Sequence, residues 1–157
     1  MKGTSTPCIG ICSTGIGDVV CRGCKRFAHE VIDWNGYSAH QHQLVFDRLE
    51  DFLEKIVGNM IDIFDEKRLF NQMSYQQIRF DSCRSSSYWV YQLLRQGASQ
   101  IGNPQPFGFC LKANWQRFSL EEIRQFLEQD YYTLSCAHYE RYIELSENFQ
   151  VRESDRS

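Results

Sequence analysis

The sequence predicts a mostly α protein with a small β component (α+β): a short four-cysteine knuckle, then a helical body with a two-stranded sheet. Three observations predict it. Apolar residues recur at three- and four-residue steps over several long stretches, the pattern of a buried helix face. Serine-led capping signals precede three of those stretches. Alternation of apolar and polar residues is confined to short segments.

Taken in order, residues 1–6 read as a polar, flexible leader. Pro7 to Phe27 is the cysteine segment, with the glycine-rich turn Ser13-Thr14-Gly15-Ile16-Gly17-Asp18 inside it. A short helix is expected from about Ala28 to Trp34, closed by Asn35-Gly36. Ser38 and Gln41 form a capping-box pattern for a second helix, about Ala39 to Val57. Leu49, Phe52, Leu53, Ile56, Val57 and Met60 make its apolar stripe, and Gly58-Asn59 reads as a break.

Met60 to Phe64 fits either strand or helix. Asp65-Glu66 opens a helix that ends near Met73. Gln77 to Asp81 alternates and reads as a first strand; Phe107 to Lys112 reads as a second. Between them, Ser85-Ser86-Ser87 caps a helix to about Gln96, with Trp89, Val90, Leu93 and Leu94 inward. Ser119 and Glu122 give another capping box, for a helix to about Asp130. A last helix is expected from about Leu134 to Phe149. The domain reading is a module over 7–57, an α+β region over 58–149 and a polar tail over 150–157.

Composition bounds the class. The 157 residues suffice for one domain or for a small module plus one domain. Hydrophobic and charged contents of 42% and 24% are ordinary for a globular chain, and 14% aromatic content implies a bulky core. No apolar run approaches the ~20 residues that span a bilayer, so no membrane partner is expected. The opening MKGTSTPCIGIC lacks an apolar signal region, so a cytoplasmic location is expected.

The net charge of −3 argues against a general polyanion binder. The charge is blocked, however. Residues 29–66 carry two basic and nine acidic groups, and residues 67–118 carry seven basic and one acidic. Such blocks either neutralise one another in the fold or leave a local basic face.

The strongest chemical signal is Cys8, Cys12, Cys21 and Cys24, spaced C-x3-C, eight residues, C-x2-C. So short a segment cannot bury enough apolar surface to order itself, and segments of this size usually need a metal or disulfides. In a reducing compartment a tight cysteine cluster points to a metal or a redox role. Soft thiolates select zinc or iron–sulfur centres, and four cysteines suit either Zn2+ or a cluster. The spacing does not choose between them. Gly23 lets the knuckle backbone turn tightly, while Arg22, Lys25 and Arg26 offset thiolate charge. A thioredoxin-type use of Cys21 and Cys24 lacks the strand–helix–strand context that such a pair needs.

The residues Pro7-Cys8-Ile9-Gly10-Ile11-Cys12, Val20-Cys21-Arg22-Gly23-Cys24-Lys25-Arg26, Glu30, Ile32 and Trp34 resemble a small bacterial family of unknown function, number 1289. The resemblance covers about residues 7–53. Members of that family are described as predicted iron–sulfur proteins, so it implies that Cys8, Cys12, Cys21 and Cys24 are shared cysteines. It implies no activity, substrate or partner. The loop from Ser13 to Val20 and the run His40-Gln41-His42 depart from the family pattern without touching the cysteines.

The remaining cysteines, Cys83, Cys110 and Cys136, stand apart and read as small apolar residues. His29 is close enough to Cys24 to replace a ligand, but a surface or hydrogen-bonded role fits it better. His40 and His42 are two apart on a helix and point in different directions. No nucleophile motif, phosphate-cradling loop or HExxH is present, and no catalytic residue is named.

Arg79, Arg84, Arg95, Lys112 and Arg117, interleaved with aromatic residues, are candidates for a partner or RNA surface. Three functional readings follow: a non-enzymatic metal-binding interaction or accessory module that docks on a protein, an electron-transfer accessory with an iron–sulfur centre, and an RNA-binding module.

Overall fold

In the computed structural model, which describes residues 6–154, the chain is mostly helical with one two-stranded antiparallel sheet. The elements run α1 (Ala28–Asp33), α2 (Ala39–Met60), β1 (Ile61–Ile63), α3 (Glu66–Tyr75), α4 (Ser86–Gly97), β2 (Phe109–Leu111) and α5 (Leu120–Ser154). Met1 to Ser5, most of the expected leader, and the last three residues of the expected tail lie outside the described residues. Two compact units emerge: residues 1–49 with 132–157, and residues 50–131.

In the second unit the later part of α2 buries Phe52, Leu53, Ile56, Val57 and Met60, the stripe expected from the sequence. Gly58-Asn59 does not break α2, which continues to Met60. A single glycine costs a helix only about 1 kcal/mol, less than this buried stripe contributes. The chain then enters β1, which pairs with β2 in the register Ile61↔Leu111, Asp62↔Cys110, Ile63↔Phe109. Beyond the pairing, Phe64 and Asp65 N–H groups both donate to the Gly108 carbonyl. A side chain at residue 108 would start 2.3 Å from the Asp65 carbonyl oxygen, and the backbone there has φ +83°, so glycine is required.

The strand expected over Gln77–Asp81 does not form. Gln77 adopts a left-handed conformation (φ 57°), and the Gln77 and Ile78 N–H groups donate to the Ser74 and Met73 carbonyls, closing the end of α3. Side chains of α4 serve the next backbone groups: Gln96 donates to the Arg79 carbonyl, Trp89 donates to the Asp81 carbonyl, and Gln92 accepts from the Asp81 N–H. No strand ladder is needed. The alternation of apolar residues reflects packing instead, with Phe80 meeting Phe70 and Trp89 edge-on.

The capping signals hold. Asp65 caps α3 through the Arg68 N–H, and Ser85 caps α4 through the Tyr88 N–H. Ser38 with Gln41 and Ser119 with Glu122 form reciprocal capping boxes on α2 and α5. The two last helices expected, ending near Asp130 and starting near Leu134, are one helix, Leu120–Ser154. Residues 131–133, Tyr-Tyr-Thr, contain neither glycine nor proline to end it, and Tyr131 is buried. The polar tail from residue 150 is helical as far as Ser154.

The first unit holds the cysteine segment, α1, the start of α2 and the later part of α5. Its central ring is Phe27, 3% exposed. From α5, Tyr139 meets it edge-on with centroids 5.2 Å apart, and His138 and Tyr142 stand near it at 6.1 Å. The Arg48 guanidinium lies 4.1 Å over the same ring. Among the described residues no helix is long and apolar enough to cross a membrane.

Candidate metal centre

Val20 and Phe27 pair as an isolated antiparallel bridge, and the chain between them folds into a tight knuckle. The Cys21 N–H donates to the Arg26 carbonyl and the Lys25 N–H to the Cys21 carbonyl, both at 2.8 Å. Lys25 takes a left-handed backbone (φ 64°) to close the turn. Its side chain folds back inside: the ammonium donates to the Arg22 and Gly23 carbonyls at 2.6 and 3.0 Å, and the residue is 1% exposed. A buried lysine is tolerated only with such partners.

The first cysteine segment runs against this knuckle. A Cβ on Gly23 would stand 2.2 Å from the Ile11 carbonyl oxygen, and the Cys21 thiol donates to that same oxygen at 3.6 Å. Buried Ser13, the residue after Cys12, accepts the Arg22 N–H at 2.8 Å. In the sequence Ser13 reads only as part of a turn. Its position directly after Cys12 was the available signal.

The four cysteines are not in equivalent environments. Cys21 and Cys24 are buried. Burial pushes the Cys21 thiol up, but hydrogen bonds from the backbone of Cys24, Ser13 and Gly23 and from the Cys24 side chain outweigh it and bring it to about 7. Burial dominates at Cys24 and raises its thiol, although the Arg26 guanidinium opposes that. Cys8 and Cys12 are exposed; the Cys8 sulfur accepts the Gly10 N–H and the Cys12 sulfur lies 3.1 Å from the Thr14 hydroxyl. Among the described residues, no three cysteine, histidine or carboxylate side chains converge as a metal-holding group.

The donor set nonetheless suits a thiolate metal centre. Two buried, free thiols sit on a tight turn, and the backbone next to Cys12 touches it. The basic residues take distinct places. Arg22 is paired with Asp18 at 3.0 Å and lies over Tyr132 at 4.6 Å. Lys25 serves the knuckle carbonyls, and Arg26 donates to the Cys24 sulfur at 3.2 Å.

The knuckle is tied to the helices by Glu30, whose carboxylate accepts the Phe27 N–H at 2.8 Å and a two-point contact from Arg48 at 2.7 and 2.5 Å. His29 stacks on Tyr142, His42 stacks on Trp34 at 4.1 Å, and His40 is exposed. Cys136 is half-buried one turn after Tyr132 on α5, and burial, then the Cys136 thiol, push the Tyr132 hydroxyl up.

The basic aromatic block lies in the second unit. Arg84 is paired with Glu50 and stacked on Tyr88 at 3.6 Å. Arg95 lies 3.7 Å from Glu128, and Arg117 stacks on Phe118. The Lys112 ammonium donates to the Gly58 carbonyl, and Arg79 is exposed. Arg84 is largely buried, Arg95 half-buried, and Lys112 and Arg117 are exposed like Arg79, while Tyr88, Tyr91, Phe107 and Phe109 are buried.

Comparison with curated proteins and with solved structures returns no match to either. A family model matches residues 6–53, the stretch that holds Cys8, Cys12, Cys21, Cys24, α1 and the first part of α2. That model is of the family described as "Protein of unknown function (DUF1289)", which this stretch is similar to.

Proposed function

We propose that Cys8, Cys12, Cys21 and Cys24 hold one metal centre, zinc or iron–sulfur, and that the protein acts as a non-enzymatic metal-binding accessory module inside the cell. The observation that carries this reading is the seating of the Ile11 carbonyl on Gly23, which brings the C-x3-C stretch of the segment onto the C-x2-C knuckle. Packing that close between two cysteine pairs favours one shared site over two separate redox pairs. Bound there, zinc would supply a closed structural anchor, and a cluster would supply an electron-accepting centre. The chain's own contribution is a tight turn whose carbonyls Lys25 holds, with Arg26 on the Cys24 sulfur to offset thiolate charge.

Serine substitution at each of the seven cysteines tests this. Metal content should fall on changing residue 8, 12, 21 or 24, and stay level on changing Cys83, Cys110 or Cys136. Metal content that ignores Cys8 and Cys12, or that depends on Cys136, would overturn it.

A further inference from the structure

Trp34 follows the last knuckle cysteine by ten residues, and the structure gives that spacing a physical reason. The Arg26 guanidinium lies between the Cys24 sulfur and the Trp34 indole. Its Nε donates to the sulfur at 3.2 Å, and its central carbon stands 4.7 Å from the indole centroid. Arg26 is 4% exposed and Trp34 7%. The indole is itself fixed from α2: the His42 ring stacks on it, His42 Nε2 lies 2.7 Å from the Trp34 carbonyl, and Phe46 meets the ring edge-on.

We propose that Arg26, clamped on Trp34, is the positioning residue of the centre: it holds the Cys24 sulfur in place and sets its strength as a metal donor. This rests on the four-cysteine reading above. A guanidinium can donate in its plane while its face lies on an aromatic ring, so one group serves both contacts. An ammonium cannot reproduce that geometry. An N–H···S bond draws electron density from the thiolate, and hydrogen bonds to ligand sulfurs tune both metal affinity and electronic properties. Arg22, largely exposed, turns its guanidinium to the Asp18 carboxylate and the Tyr132 ring instead.

Cobalt(II) alone, added anaerobically to the reduced, metal-free full chain, gives the readout. Sulfur-to-cobalt charge-transfer absorption reports the electron density on the thiolates, which a purely structural role of Arg26 would not move. Arg26→Met should shift the band to longer wavelength and weaken cobalt binding by roughly 10- to 100-fold. Trp34→Leu should give the same direction of shift with the arginine still present. Arg26→Lys, the milder change, should recover part of the affinity but not the band position, and Lys55→Gln, at an exposed position on α2, should match the unsubstituted chain. Circular dichroism identifies the variants that fold. A band unmoved in folded Arg26→Lys and Trp34→Leu would overturn the inference and leave the four-cysteine reading standing. No thiolate–cobalt band in the unsubstituted chain would overturn that reading, and the inference with it.

Discussion

The carbonyl oxygen of Ile11 occupies the place where a side chain on Gly23 would begin, 2.2 Å from an ideal Cβ. The contact joins the two cysteine pairs through backbone alone. Any side chain at residue 23 must push the Cys8–Cys12 segment away. Gly23→Ala should therefore cost about 1–3 kcal/mol, the usual penalty for overpacking. Denaturant unfolding would measure it, and the metal content of the variant should fall with it. A variant of unchanged stability and metal content would show that the two segments do not need this approach.

Glu30 and Arg48 form a nearly dry ion pair, with side chains 6% and 16% exposed. The carboxylate also accepts the Phe27 N–H, so it fixes the start of α1 to α2. Arg48 Nε is buried with no hydrogen-bond partner, which makes the pair more dependent on its other contacts. Glu30→Ala leaves a buried cation uncompensated and should cost about 3–5 kcal/mol. Replacing both by apolar residues, Glu30→Leu with Arg48→Met, should restore part of that loss. Equal loss in the single and double variants would contradict this account.

Tyr91 gives the second unit a pH dependence at the alkaline end. Burial, then the Glu128 carboxylate to which its hydroxyl donates, push its ionisation well above the usual 10.0. The folded form thus resists losing this proton. Stability from Tyr91 is fully present below about pH 10 and declines as the pH rises beyond it, because the unfolded chain ionises first. Melting temperature should fall above pH 10, and less steeply in Tyr91→Phe. Identical slopes in the two proteins would argue against it.

Arg84 separates a structural from a nucleic-acid role. Its guanidinium is committed to Glu50 and to the Tyr88 face, and Ser85 donates to the same carboxylate. Arg84→Ala should destabilise the chain by about 1–3 kcal/mol. Any affinity for single-stranded RNA should be unaffected, as measured by salt-dependent fluorescence anisotropy in folded protein. A selective loss of RNA binding without loss of stability would favour the RNA-binding reading.

Local signals are legible in the sequence. Ser38, Asp65, Ser85 and Ser119 each mark a helix start in the structure, and the α2 stripe is buried as its spacing requires. Non-local pairing was harder. Ile61–Ile63 carries too few residues to show alternation, and its partner lies far along the chain at Phe109–Leu111. Gln77–Asp81 shows alternation but has its backbone bonds taken by Gln92, Gln96 and Trp89.

At the knuckle the cysteines, Gly23 and the basic residues were visible as types. The inward fold of Lys25, the clasp of Arg26 and Trp34, and the role of Ser13 depend on backbone turns that spacing alone does not specify. The return of α5 to Phe27 is likewise a long-range contact, carried by Tyr139 and its neighbours.

The most direct measurement is metal analysis with absorption spectroscopy on full-length protein purified without oxygen, beside a Cys21→Ser control. The account predicts zinc near one atom per chain, or iron with the absorption of a thiolate-bound cluster, and loss of either in the control. Neither metal in the purified protein, with a fold unchanged by chelator, would contradict it.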